Sequence, residues 1–434
     1  MIRNSRLVLF LALVLAGTMW FYVQHVVIRQ QIVEAKSKDI PRGNLSDLYP
    51  RWLGTRELLL HHRDPYSAEV TREIQTGYYG RPLDSSRPHD PKDQQAFAYP
   101  LYVVFLLAPL ISLPFSAVQM GFFWCLVAVT IVTILLWLGG LQWHPSWAMK
   151  AAFIVLTLGS FQVLQGLKLQ QLTLLVSGLI AATVALLAAG QLLIAGILLA
   201  LTTIKPQLIL PLAAWLILWT VSEWGKRKNF AFGFGGTLAV LIAGAQLLLP
   251  GWITQFHHAI FQYRQYNDGA LSILQVLTSP LAGDVLAMVA LLATAILCWE
   301  LRREPATSTA FAWMTALVLA VTILVAPKTS PYNQILLLPG VLIVAQHWRI
   351  AWNKSFVARI VFLISILIVL WPWVAAFAVT VLRVFLPTTL PNAWTLPVYT
   401  MLAIPFAVCV LVAFNLRALG QTLARGKAGL AVAK

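Results

Sequence analysis

The sequence predicts an all-α polytopic membrane protein, one integral-membrane domain over residues 1–434, on three observations. Hydrophobic residues make up 59% of the chain and charged residues 11%, about half the charged share of a soluble globule. Apolar runs of ~20 residues recur along its length, each able to satisfy its own backbone hydrogen bonds across a bilayer. Ten of the 15 acidic residues fall between Arg29 and Ala96, in one polar stretch behind the first apolar run.

About twelve spans are expected from these runs: 7–28, 97–113, 117–138, 151–164, 172–189, 192–221, 230–249, 285–301, 310–326, 335–348, 356–379 and 397–414. The first follows Arg3 and Arg6 as a signal peptide would, yet it is too long for a signal core and lacks a small-x-small cleavage site. It reads as a retained anchor. The second and fourth are short, tilted or re-entrant. The sixth carries Pro206 and Pro211 and is either kinked or two broken pieces. Cys125, Cys298 and Cys409 lie inside spans without paired spacing. They read as small buried apolar residues rather than a disulfide frame or metal site.

The Lys/Arg distribution supplies the orientation. With a cytoplasmic amino terminus, 14 basic residues face the cytoplasm, among them Lys168, Lys226, Arg227, Lys228, Arg302, Arg303, Arg349 and Lys354. The short outer loops hold Arg264, Lys328 and Arg383, with Lys150 near a boundary. Both termini are then cytoplasmic, in a plasma (inner) membrane of bacterial type. Three segments face the periplasm or exterior: a large loop, 29–96, a second, 250–282, and a short one, 328–334. The large loop holds 11 basic against 10 acidic residues, so the net charge of +16 belongs to the cytoplasmic rim. A nucleic-acid partner is excluded, because no basic soluble surface exists.

Within the large loop, Leu48, Trp52, Leu58 and Leu59 recur at helical spacing, predicting an amphipathic helix on the outer membrane surface over 48–62. Asn44, Ser46 or Asp47 would cap it, and Asp64-Pro65-Tyr66 ends it as a turn. A second, weaker helix is expected over 68–77, followed by an ordered, proline-rich loop to Gln95.

Asp47 is the candidate catalytic acid. It precedes the surface helix, beside the bilayer, where a carboxylate can take the proton of an attacking hydroxyl; the plain alternative is a helix N-cap. The 252–267 segment brings His257, His258, Tyr263, Arg264, Tyr266 and Asn267, groups suited to sugars and phosphate or, equally, to an interfacial anchor. Lys328 opens a hydroxyl- and amide-rich run with Tyr332 and Asn333, where it would neutralise a phosphate or snorkel to headgroups. Lys205 is an ionisable residue inside a span, nearer the cytoplasm on this topology. It would hold a lipid-linked phosphate or reach the inner headgroups. No Walker loop, zinc spacing, dinucleotide fingerprint or Ser-His-Asp order is present.

Several short motifs carry a resemblance. They are Ser46-Asp47-Leu48-Tyr49 with Asp64-Pro65-Tyr66, Phe97-Ala98-Tyr99-Pro100 with Ala108-Pro109-Leu110, Ala195-Gly196 through Lys205-Pro206, Asn267 through Leu271-Ser272, and Ser330-Pro331. In this order the chain resembles the C-type (GT-C) membrane glycosyltransferases, and more closely glycosyltransferase family 87, the polyprenol-phosphate-mannose-dependent group. It departs from the pattern at Leu101, at Gln170-Gln171 with Thr173, and in lacking a histidine after Ser330-Pro331. The resemblance implies a polyprenyl-phosphate sugar donor, a lipid-linked or cell-envelope glycan acceptor, and inverting transfer of mannose or a related sugar, without cofactor or metal. Asp47 would be the general base, and Lys328, Arg264 and Lys205 the phosphate ligands. Tyr49, Arg51, Tyr99, His257, His258, Asn267, Tyr332 and Asn333 would contact substrate. The competing reading is a lipid or glycan transporter or flippase, for which internal repeats and mid-membrane charges are expected.

Overall fold

The computed structural model describes residues 5–40, 42–84, 86–266, 271–327, 330–385 and 393–416. Among them every regular element is helical and none is a strand. Six helices are long and apolar enough to cross a membrane: Ser5–Ser37, Phe115–Gly140, Trp224–Leu248, Pro280–Leu301, Phe356–Leu382 and Leu396–Leu416. Two bent pairs, Trp147–Leu158 with Phe161–Lys168 and Pro331–Gln346 with Trp348–Lys354, bring the number to eight if each is one span. Leu172–Ala188, Leu192–Ile204, Pro206–Ser222 and Thr309–Val325 are apolar but have 10–17 residues. At 1.5 Å per residue they fall short of a ~30 Å hydrocarbon core. Length and composition thus support six to eight spans where twelve were expected.

Two of the expected spans take a different form, and in both proline is the cause. Over 97–113 the chain makes only a five-residue helix, Val103–Leu107, and the turn Ala108–Leu110. Pro100, Pro109 and Pro114 leave no stretch between them that can hold a longer helix. The 192–221 run breaks at Lys205, which precedes Pro206 and has φ −124° and ψ 72°. The chain turns back there, with Leu192–Leu201 running toward Lys205 and Pro206–Ser222 running away from it.

These two corrections offset each other in direction. Without a crossing at 97–113, every helix from Phe115 to Leu201 runs opposite to the expectation, and the reversal at Lys205 restores it afterwards. Lys168 was expected on the cytoplasmic side, away from the large loop. It lies instead at the loop's end of the bundle, since the Asp47 N–H donates to the Leu169 carbonyl at 2.9 Å. Lys150, expected near an outer boundary, moves to the opposite end by the same inversion. At that opposite end the buried Arg227 donates to the carbonyls of Trp219 (2.6 Å), Arg302 (2.9 Å) and Glu304 (3.3 Å). The Gln346 amide donates to the Leu141 carbonyl there at 3.1 Å.

The closest helix crossing uses glycine. A Cβ on Gly196 would strike the Phe230 carbonyl oxygen, and one on Gly233 the Leu193 carbonyl oxygen, so the two backbones touch directly. Gly196→Leu is expected to destabilise the fold by about 1–3 kcal/mol through overpacking. Gly235→Leu, on the same helix with open space around it, is expected to be near neutral. Thermal unfolding of the two variants in detergent measures the difference.

The large loop is shorter than expected because the first helix continues to Ser37. Its first short helix, Tyr49–His61, ends where His62 turns left-handed (φ 54°). This helix is packed into the protein rather than resting on a membrane surface. Gly54 faces the Phe97 ring, and the Trp52 indole donates to the Leu110 carbonyl at 3.1 Å. The second, Ala68–Tyr79, is capped by Ser67 and runs two residues further than expected. Beyond it the loop is tied down by Arg81 on Asp90 (2.6 and 2.9 Å) and by Tyr79 on the Asp93 carbonyl (2.7 Å). Of the cysteines, Cys298 is buried, Cys409 half-buried and Cys125 exposed, the last in contrast to its expected burial.

Candidate functional site

Asp47 does not cap the helix that follows it. Tyr49–His61 has no side-chain cap bond, and the local turn is made by others: Asn44 Oδ1 accepts from the Ser46 N–H (2.9 Å) and Ser46 Oγ from the Leu48 N–H (3.3 Å). The Asp47 carboxylate is thereby left for tertiary partners. Its Oδ1 accepts from the Tyr78 hydroxyl at 3.0 Å, and its Oδ2 from the Gln171 side-chain amide. Arg51, one helical turn on, donates to the Asp47 backbone carbonyl rather than to its carboxylate.

Gln171 is the pivot of the site. While its amide nitrogen serves Asp47, its Oε1 accepts from Lys205 Nζ at 2.8 Å. Lys205 also donates to Thr173 Oγ1 at 2.7 Å, and Thr173 donates to Asn333 Oδ1 at 2.8 Å. A continuous polar chain thus joins four segments that are distant in sequence, from Asp47 to Asn333. Lys205 is buried, with no ion pair among the described residues. Its Nζ lies 5.9 Å from the Tyr99 ring centroid and 5.4 Å from that of Tyr332. The Arg51 guanidinium stacks on the same Tyr99 ring at 4.2 Å, and its Nε is buried without a partner. Two cations, with no acid directly paired to either among the described residues, converge on one aromatic wall, an arrangement suited to an anionic group.

Burial pushes the Asp47 carboxyl above its ordinary range, more than the nearby charge of Arg51 and the Tyr78 hydrogen bond pull it back. A raised carboxyl holds its proton more tightly once taken, which is what a base requires. Tyr263 contributes a hydroxyl whose pKa is raised first by burial and then by Asp93.

The structure brings Asp47, Arg51, Tyr99, Lys205, Tyr332 and Asn333 together. Tyr49 does not join them, for its ring packs on Gly77, Trp52 (5.7 Å) and Phe115 (4.8 Å). Arg264 and His257 are exposed, and His258 is exposed with its ring paired to Gln262 at 2.8 Å. Asn267 and Lys328 lie outside the described residues. Asp64 is a turn residue, accepting from the Tyr66 N–H (2.8 Å) and from Gln255 (3.0 Å). Lys205, expected nearer the opposite face, reaches Asp47 through one glutamine because of the break at Pro206. Sequence reasoning missed Tyr78 and treated Gln171 and Thr173 only as departures from a pattern. The adjacent Tyr78-Tyr79 pair on a capped helix was the one available signal.

The model of glycosyltransferase family 87 matches residues 97–327. The matched region includes Tyr99, Gln171, Thr173 and Lys205 and begins after Asp47. Neither a curated protein nor a solved structure matches the chain. A match over more than half of the 434 residues, on an all-helical bundle with several apolar spans, establishes that the chain belongs to glycosyltransferase family 87, of the GT-C type, and is a membrane transferase of sugars.

Proposed function

We propose that the chain transfers a monosaccharide, mannose or a related sugar, from a polyprenyl-phosphate donor to a lipid-linked or cell-envelope acceptor with inversion at the anomeric carbon. The observation that carries this reading is the Asp47–Gln171–Lys205 connection, which sets a base and a buried cation one amide apart. The acceptor hydroxyl gives its proton to Asp47 as its oxygen bonds to the anomeric carbon, and the bond from that carbon to the donor phosphate breaks. The departing polyprenyl phosphate is an anion, stabilised by Lys205 and Arg51. Gln171 holds both partners, so base and cation keep a fixed separation through the displacement.

Charge supports a reading of the side of the membrane. The end of the bundle opposite Asp47 carries Lys226, Arg227, Lys228, Arg302, Arg303, Arg349 and Lys354, which supports cytoplasmic termini and an outward-facing site. Incubating the purified protein with a panel of polyprenyl-phosphate sugars and membrane-derived acceptors, followed by mass spectrometry of lipid products, tests the reading. A glycosylated acceptor and free polyprenyl phosphate are expected. Vectorial movement of lipid with no covalent product would favour a flippase instead.

The pH dependence gives a finer test. Asp47 must be ionised to act as base, so kcat/KM falls as pH drops through its pKa. The Tyr78 hydroxyl stabilises the carboxylate and lowers that pKa. In Tyr78→Phe the acid limb is therefore expected to move to higher pH. An unmoved limb in a pH–rate profile would contradict the role of Asp47.

A further inference from the structure

Next to this site lies a cavity of ≈ 690 Å³ between the Ala68–Tyr79 helix, the irregular 94–97 segment and the Trp252–Tyr266 helix. Its size is within the ~300–1,000 Å³ range of small-ligand sites. On one wall Gln255, His258, Ala259, Gln262 and Tyr263 recur at i, i+3, i+4, i+7 and i+8, so a whole face of that helix looks into it. This face is polar, although the segment as a whole reads equally as an interfacial anchor. On the other wall Thr71 and Gln75 stand at i and i+4, and Tyr78, at i+7, continues the same face to the Asp47 carboxylate. One helix face therefore runs from the cavity to the base. Tyr263 lines the cavity as well.

Its chemistry is neutral and rich in hydrogen-bonding groups. Gln75, Gln94, Gln95, Gln255 and Gln262 all line it. The two charged side chains of its wall, Asp64 and Arg72, are of opposite sign, and both Asp64 oxygens are already used by the Tyr66 N–H and Gln255. Gln255 Oε1 is buried without a partner. The half-buried Tyr66 ring, packed edge to face on the buried Phe97 at 5.2 Å, supplies aromatic surface for the apolar C–H face of a sugar ring. An anionic ligand would find no cation cluster here, and an acyl chain would strip water from the half-buried amides of Gln94, Gln95 and Gln262, Gln75 being buried and bonded to Gln94 and the Leu83 N–H.

We propose that this cavity is the acceptor subsite and takes a neutral oligosaccharide, the Trp252–Tyr266 helix presenting its glutamine face to the glycan while Tyr78 and Tyr263 lead the acceptor hydroxyl to Asp47. The proposal rests on the transferase reading above and names the chemical class of its second substrate.

The test is photolabelling of the full chain in detergent with mannotriose bearing a diazirine at its reducing end. Label is expected in peptides from 68–79 and 252–266, displaced by excess free trisaccharide. Ala259→Trp, which fills the cavity, and the milder Gln262→Ala are each expected to reduce it at least five-fold. Label outside these peptides would overturn the proposal. So would label indifferent to both substitutions, or a diazirine fatty acid taking the same place undisplaced by sugar. Asp47→Asn is expected to label like the parent protein, and whether transfer survives in that variant tests the base separately. Failure of the subsite and failure of the base thus give different results.

Discussion

Asp47→Asn is expected to leave expression and folding intact and to lower sugar transfer by roughly 10²–10⁴-fold, the usual worth of a positioned general base. Asparagine keeps the shape of the side chain and its carbonyl can still accept from Tyr78, while its amide nitrogen takes the place of the oxygen that accepts from Gln171. It cannot accept a proton from the acceptor. Asp47→Ala is expected to be equally inactive, and it removes both tertiary bonds as well, so the comparison separates chemistry from positioning. The measurement is transfer of labelled sugar by each purified variant, with the melting profile as a check on folding. Two folded variants at full activity would end the assignment. Two inactive but unfolded variants would be resolved by Tyr78→Phe, whose pH profile reports on Asp47 without removing it.

Lys205→Met is expected to lower transfer by about 10²–10³-fold, the range found when one preorganised group facing developing charge is removed. Methionine retains much of the length and fills the buried space, so the packing loss is small. What disappears is the only charge at the turn between Leu192–Leu201 and Pro206–Ser222. Gln171 Oε1 and Thr173 Oγ1 lose their donor at the same time, and some of the effect will come from a loosened Gln171. Gln171→Leu distinguishes the two contributions. It is expected to shift the acid limb of the pH profile, because it strips a hydrogen bond from Asp47, whereas Lys205→Met is expected mainly to weaken retention of the phosphate donor. Titration of binding with a non-transferable polyprenyl phosphate measures the latter directly.

How much of the site was legible depends on how far its residues sit apart. Asp47 was legible as the acid just ahead of an expected helix in the one acid-rich loop, and its neighbourhood with Arg51 is local, one helical turn. Its true partners are not local. Gln171 is a short-range curiosity in the sequence, where Gln170-Gln171 stands in place of an expected glycine-glutamine pair. In the structure, the loop between Phe161–Lys168 and Leu172–Ala188 carries it against the carboxylate. Lys205 was recognised as an oddity within a span, since a buried ammonium needs a reason. Its distance from Asp47 was misjudged because parity propagates: one run counted wrongly as a crossing inverts everything that follows until a second error cancels it. Tyr49 shows the reverse case. It stands two residues from Asp47, and helix geometry turns it onto Gly77 and Phe115, away from the polar chain.

The sequence by itself determined the solvent this chain lives in, the helical character of its elements, the acid-bearing loop and the family to which it belongs. Apolar run length and the count of charges are enough for these, because they act locally and sum along the chain. Only the tertiary structure decided which runs form long helices and which break or turn, and that an aspartate, a glutamine and a lysine from three separate segments form one connected site. Proline breaks and glycine contacts set that arrangement through packing. Packing joins residues far apart in sequence, and no local pattern records which of them will meet.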